Sequence, residues 1–445
     1  MTFGEPFAFR SPNVILFGCG EARKVGAQAA RYGRRALIVT GRASARSAGH
    51  LDLVEESLRA ARLDLAVFEG VRAEPHLSDV EHVRRAIDDE AADVVVCLGG
   101  GSAIDVGKAA AALARTGTPA AEYHSGGLSC DEPGLPCIAL PTTAGTGAEA
   151  TPNSVIIDPD TRVKASMRGE ALLPAVAIVD PDLTLSLPPE PTVYSGLDAF
   201  CQAVESYVSR GANPMSDSVA LMACELTALA LPRAFDDGSD TEARARMALG
   251  SMLAGLALAS ARLGLVHGLA HPIGVATGAP HGLVCGAMLP MAIRANAAEA
   301  APKYARIARA ISGAEAPAAP PSPRPPLRRA QGRAPHSPWR GAGGEGRTDS
   351  APPPKLAPMG AGGGGAGGWY VEDTTEDDFA DTLDLADWVE ALCHSVGVPT
   401  RLSELGVRDT DIPELARLGA KAGSTAYNPR AMTAAEIEDL LRNNL

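Results

Sequence analysis

The stretch DVVVCLGGGS at 93–102 constrains the fold of this chain more than any other. Val94 to Leu98 form a short unbroken apolar run rich in β-branched side chains, the pattern of a strand buried on both faces. Three glycines end it, and AIDVGKAAAALA then continues with helical spacing. Glycines at a strand end let a pyrophosphate approach the backbone, and the helix N-terminus offers unpaired N–H groups. Gly99, Gly100, Gly101 and Ser102 are therefore candidate phosphate contacts. The spacing is not GxGxxG, so the alternative without a ligand is a tight turn that simply closes a strand.

The same unit recurs. Val14 to Phe17 run into Gly18-Cys19-Gly20, residues 36–40 into Gly41, and 135–147 into a turn carrying Thr142, Thr143, Gly145, Thr146 and Gly147. Residues 65–70 read as a further strand, and helical spacing covers 21–33, 47–62 and 78–91. Alternation of this kind implies a mostly parallel sheet with helices on both faces. Two glycine-and-hydroxyl turns on one sheet edge suggest a nucleotide cleft. SVIID (154–158) and AVAIVDPDL (175–183) are strand candidates with partly antiparallel pairing.

After Leu187-Pro188-Pro189 the pattern is helical, Ala- and Leu-rich, through about 312. The expected organisation is an α/β domain over 1–188 and a helical domain over 189–445. Proline and glycine crowd 315–368, too densely for a core, so an insertion at 315–375 without fixed structure interrupts the second domain. Helical spacing returns at 376–395 and again in TAAEIEDLLRNN at the end.

A net charge of −13 gives no basic face for nucleic acid or anionic membrane. The arginines and Trp339 of the insertion read as low complexity, not as a stacking platform. Eight scattered cysteines without a CxxC favour reduced thiols and a cytoplasmic setting. The N-terminus lacks the basic-then-apolar run of a leader. The most apolar long segment, 247–266, is broken by Ser251, Ser260 and Arg262, and reads as a buried helix, not a membrane span.

The chemistry concentrates between 198 and 281. Asp198 and Gln202 share a helix face at four-residue spacing, as do His267 and His271, and His281 follows Pro280. HGLAH is not HExxH, because Gly268 stands where the glutamate would be. Asp198, His267 and His281 supply three metal-donor types, and Gln202 a weaker carbonyl oxygen. Glu205 reads as a helix-surface residue, with support of a ligand as the alternative.

FGCG, GGGSAIDVGKA (99–109), LPTTAGTGAEAT (140–151), DPDL (180–183), GLDAFCQAVESY (196–207), VHGLAHPIG (266–274) and PHG (280–282) occur in one order. In these motifs the chain resembles the iron-containing (group III) alcohol dehydrogenases over most of its length outside 315–375. The resemblance implies an N-terminal Rossmann-like dinucleotide-binding domain, a C-terminal all-helical metal-binding domain, and a cleft between them. By position, Gly99 to Ser102 hold the pyrophosphate with Asp105 beside it. Thr142, Thr143, Thr146 and Leu183 line the nucleotide site, and Lys164 reaches the nicotinamide ribose. Asp198, Gln202, His267 and His281 ligate a divalent metal, Fe²⁺ or alternatively Zn²⁺, and His271 faces the substrate as proton carrier.

The family usually has histidine where this chain has Gln202, a poorer donor. NAD-preferring members carry aspartate where Gly41 stands, and with Arg42, Ser44 and Arg46 nearby NADP is accommodated as well as NAD. The implied activity is reversible hydride transfer between the nicotinamide and a small alcohol or aldehyde, by a homodimer or higher homo-oligomer without nucleic-acid or membrane partners. The competing readings are a metal-independent maleylacetate reductase-like enzyme, against which the retained Asp198 argues, and a non-catalytic nucleotide-binding relative.

Overall fold

The computed structural model describes residues 6–161, 163–311 and 376–445; the insertion read at 315–375 lies outside them. The N-terminal half contains β1 (Val14–Phe17), α1 (Val25–Ala29), β2 (Arg35–Gly41), α2 (Ser44–Ser47), α3 (His50–Ala60), β3 (Asp64–Val71), α4 (Leu77–Asp89), β4 (Val94–Gly99) and α5 (Gly101–Leu113). It continues through β5 (Cys137–Pro141), β6 (Asn153–Asp158), β7 (Val163–Arg168) and β8 (Val176–Val179). Six strands form a parallel sheet in the order β1-β8-β5-β4-β2-β3. Alternate residues bury opposite faces. Leu37, Val39, Val95 and Cys97 pack with α4 and α5, while Ile38, Val94 and Val96 pack with α1 and α3.

The chain reverses direction across the sheet between β2 and β4. Thr40 pairs with Leu98, so Gly41 and Gly99 leave the sheet side by side. Such a switch point opens a crevice at the carboxyl ends of the strands. Gly99, at φ +156°, makes the turn into α5 that a side chain would resist.

The pairing expected of 154–158 and 175–183 needs correction. β8 lies inside the parallel sheet between β1 and β5, because Val176 to Val179 are apolar and buried throughout. β6 is the antiparallel one, and its partner is β7, a strand whose polar sequence VKASMR hid it.

The second half is helical: α6 (Pro189–Val208), α7 (Pro214–Asp236), α8 (Thr241–Ala261), α9 (Leu265–Thr277), α10 (His281–Ala295), α11 (Ala297–Ile311), α12 (Glu376–Ser395), α13 (Ile412–Lys421) and α14 (Ala434–Asn443). Their alanines let α6, α7 and α8 pack closely around Phe200, Val204 and Leu231. By length and composition α7 could cross a membrane, as could α8 and α9 taken as one bent pair. Here α7 is spent on packing against α6 and α8.

The apolar segment 247–266, read as one buried helix, runs from α8 into α9, which are bent by 106°. The break is at Arg262, whose φ of +67° and ψ of −176° lie where glycine is normally required. This bend swings α9 towards α6. The two halves lock where Gly147 meets α8: a Cβ there would lie 2.6 Å from Gly255 Cα and 2.8 Å from Ser251 O.

Candidate active site

On α6 the residues Asp198, Cys201, Gln202 and Glu205 fall at i, i+3, i+4 and i+7, one face of the helix, and all are buried. His267 on α9 and His281, the first residue of α10, meet that face. His267 Nε2 lies 3.2 Å and His281 Nε2 3.5 Å from Asp198 Oδ1. Cys285, one turn after His281, places Sγ 3.6 Å from His281 Nε2 and 3.9 Å from His267 Nε2. Donor atoms of Asp198, His267, His281 and Cys285 all lie within 4.8 Å of one another.

Glu205 is not on the surface. It is 4% exposed and accepts hydrogen bonds from His267 Nδ1 at 2.7 Å and from the backbone N–H groups of Val266 (2.6 Å) and His267 (3.3 Å). Asn428 Oδ1 takes the N–H of Leu265 at 3.2 Å. Gly264 has no side chain with which to cap α9, so two residues distant in sequence satisfy its first donors. With Nδ1 committed to Glu205, Nε2 is the nitrogen that faces Asp198, at 3.2 Å.

The charges are mutually adjusted. Burial pushes the Asp198 carboxyl up, but His281, His267 and a hydrogen bond from Gln202 outweigh it and hold it at about 2. Burial lowers His267 and His281, yet Cys285 and Asp198 raise both, with Glu205 also raising His267. Burial raises the Cys285 thiol, and a hydrogen bond with Cys201 and the two imidazoles bring it well below the ordinary range. His271 stacks on His281 at a 4.9 Å centroid separation, and its Nδ1 is buried without a partner. Burial first, then the charges of His281, Lys164 and His267, lower its pKa well below the usual value, so it is neutral.

These side chains floor a cavity of about 520 Å³ between the two halves. Gly101, Ser102, Asp105, Thr143, Thr146 and Lys164 form its wall on the α/β side, and Asp198, Gln202, His267, His271 and His281 the helical wall. The structure does not bring every expected residue to that wall. Gly41, Gly99, Gly100 and Thr142 lie at the strand ends and do not line it. Leu183 is buried in the sheet core beside Leu140 and Ile178.

Asp105 lines the cavity and also braces it. Its carboxylate accepts from Val155 N–H at 3.0 Å and pairs with buried Lys108 at 3.2 Å. Lys108 in turn donates to Ala148 O at 2.8 Å and Thr151 Oγ1 at 3.1 Å. Ser102 Oγ donates to Ala73 O at 2.6 Å, and Lys164 pairs with Glu74 at 2.7 Å.

A parallel-sheet crevice facing an Asp-His-His cluster on helices is the arrangement that the sequence motifs implied. The description "iron-containing alcohol dehydrogenase" matches residues 12–181, and its C-terminal counterpart matches 192–321 and 369–445. The chain is 30% identical over 442 residues to 1,3-propanediol dehydrogenase of Citrobacter freundii, covering 98% of each. The chain belongs to the iron-containing alcohol dehydrogenase family. It is 37% identical over 276 residues to NAD-dependent methanol dehydrogenase of Bacillus methanolicus, covering 62% of this chain and 72% of that one. The solved structure of a 1,3-propanediol oxidoreductase superposes with a TM-score of 0.82 at 29% identity, over 99% of this chain and 100% of that one.

As a member of the iron-containing alcohol dehydrogenases, the chain is an oxidoreductase acting on CH–OH groups. Within that family pattern its sequence reading overlooked two residues. Cys285 carried a usable signal, its i+4 spacing from His281. Tyr194, which lines the cavity with a buried hydroxyl that has no partner, carried none.

Proposed function

We propose that this enzyme interconverts short primary alcohols and aldehydes with NAD(H), at the cavity floored by Asp198, His267 and His281. The observation that carries the reading is the convergence of those three donors opposite the Gly101–Ser102 helix start, across one cavity. A divalent cation fits the donor set: a carboxylate, two imidazoles with a lone pair free, and a buried Gln202 oxygen without a partner. Asp198, His267 and His281 would hold it, and it would supply Lewis-acid polarisation of the substrate oxygen. The nicotinamide, when bound, supplies hydride acceptance.

The chain's own residues do the rest. The α5 N-terminus, with Gly101 and Ser102, takes the pyrophosphate, and Thr143 and Thr146 border it. Lys164 is positioned for a ribose hydroxyl. Glu205 fixes the His267 tautomer. His271, neutral and with Nδ1 open, accepts the alcohol proton and returns it in the reverse direction. Leu258, Leu263 and Tyr194 exclude water from the reacting carbon.

NAD is the primary cofactor in this reading and NADP the lesser one. Arg46, one of the cations expected to favour a 2′-phosphate, is already bound through two nitrogens to Glu69. The eight unpaired cysteines support a reducing, cytoplasmic compartment. β1, hydrogen-bonded on one side only among the described residues and with Phe17 exposed, supports a homo-oligomer formed along that sheet edge.

The test is turnover. Metal-depleted enzyme resupplied with Fe²⁺ or Zn²⁺ should reduce NAD with a panel of short alcohols that includes 1,3-propanediol, and His271→Ala should lose rate most steeply at low pH. Absence of NADH formation with every alcohol and both metals would refute the reading.

A further inference from the structure

We infer that Cys285 is a metal ligand of this enzyme, its thiolate taking the corner that histidine usually takes at the Gln202 position. The inference rests on the metal site proposed above and concerns which atoms complete it.

Geometry carries it. In a tetrahedral site with metal–sulfur about 2.3 Å and metal–nitrogen about 2.0–2.1 Å, the sulfur–nitrogen edges are about 3.5 Å and the nitrogen–oxygen edges about 3.4 Å. The observed edges are 3.6 and 3.9 Å from Cys285 Sγ to the two Nε2 atoms. From Asp198 Oδ1 to the same nitrogens they are 3.2 and 3.5 Å. Cys285 stands one turn beyond His281 on α10, so the two side chains share a face, and the thiol is fully buried. A buried free thiol ordinarily packs as a small apolar group. This one faces two imidazoles and a carboxylate.

Gln202 offers only a neutral amide oxygen, a poorer donor than a thiolate. It donates a hydrogen bond to Asp198, orienting that ligand. The nearby Cys201 is a poorer candidate, since its Sγ lies 4.0 Å from His267 Nδ1, the nitrogen held by Glu205. A donor set of one carboxylate, two imidazoles and one thiolate is softer than three imidazoles, and it shifts preference from iron towards zinc. Binding displaces a proton from the Cys285–imidazole cluster to the buffer. Asp198, His267, His281 and Cys285 would together hold the ion, which would supply polarisation of the substrate oxygen.

Cobalt(II) titrated into metal-free, full-length enzyme tests this by absorption spectroscopy. The expected result is visible d–d bands that saturate at a single equivalent, accompanied by a near-ultraviolet thiolate-to-cobalt band. That band should vanish in Cys285→Ser and persist in Cys201→Ser and Gln202→Ala, with folding checked by circular dichroism. A wild-type d–d spectrum without the near-ultraviolet band overturns the role of Cys285 and leaves the metal site standing, as does a band that survives Cys285→Ser. No d–d bands in the wild type removes both the ligand and the metal site. If Cys285→Ser fails to fold, zinc-edge X-ray absorption of the wild-type enzyme decides: one sulfur scatterer at about 2.3 Å supports the ligand, and a shell of nitrogen and oxygen alone rejects it.

Discussion

Glu205 carries the cluster without touching its centre, and its removal should show in two separate measurements. Its carboxylate accepts from Val266 N–H at 2.6 Å, His267 N–H at 3.3 Å and His267 Nδ1 at 2.7 Å, all in buried surroundings. In Glu205→Ala the two backbone donors at the start of α9 lose their acceptor. A buried unpaired donor costs about 1–3 kcal/mol, so the pair should cost about 2–6 kcal/mol, the lower figure if water enters the space. Urea denaturation at neutral pH reads that loss. In Glu205→Gln the amide oxygen can serve the backbone or His267, but not both, and the neutral side chain no longer fixes the Nε2 lone pair. Zinc affinity, measured by competition with a chromophoric chelator, should fall about 10- to 100-fold in Glu205→Gln, with a smaller stability loss than in the alanine variant. Wild-type zinc affinity in Glu205→Gln would refute the positioning role, whatever its stability.

Three further outcomes are expected. Burial holds the Glu149 carboxyl at about 7 against an ordinary 4.5, with Lys108 only partly offsetting it, so folding retains a proton that the unfolded chain releases between those values. Stability should fall by about 3 kcal/mol as pH rises from 4.5 through 7, and Glu149→Gln should melt higher than wild type at pH 8 but equally at pH 4.5; a difference independent of pH would contradict this. Glu69→Ala frees Arg46 and removes a carboxylate near Gly41, so the ratio of kcat/KM for NADP over NAD should rise about three- to tenfold; an unchanged ratio places the 2′-position elsewhere. Arg262→Gly relieves a glycine-type backbone conformation and should raise stability by about 1 kcal/mol in thermal unfolding, while a loss would show that the arginine side chain outweighs the strain.

The strand–turn–helix units were legible because a doubly buried strand leaves a continuous apolar run, as in Val94–Leu98, and the glycines mark its exit. β7 was not, since VKASMR buries one residue and pairs only with β6. α13 shows Ile412, Leu415, Ala416 and Gly419 at helical spacing, a signal present in the sequence but not read. The bend at Arg262 had no marker, because nothing in an arginine announces a left-handed φ. Asp198, His267 and His281 could be picked out by donor type and spacing, together with the family resemblance. Glu205 could be offered only as an alternative to a surface residue: seven residues after Asp198 it shares the helix face, but only the arrival of α9 turns that position from surface into interior. The two-nitrogen pairing of Arg46 with Glu69 is likewise a contact between α2 and β3, invisible along the chain.

The central claim is that Asp198, His267 and His281 converge to hold one catalytic divalent ion. Metal content by plasma emission spectroscopy, read alongside NAD reduction on the same samples of wild type and His267→Ala, tests it most directly. The account predicts one iron or zinc per wild-type chain, loss of that metal in His267→Ala, and loss of turnover in proportion. A His267→Ala protein that turns over at the wild-type rate, or a wild type that works unchanged after chelation has stripped its metal, would contradict it.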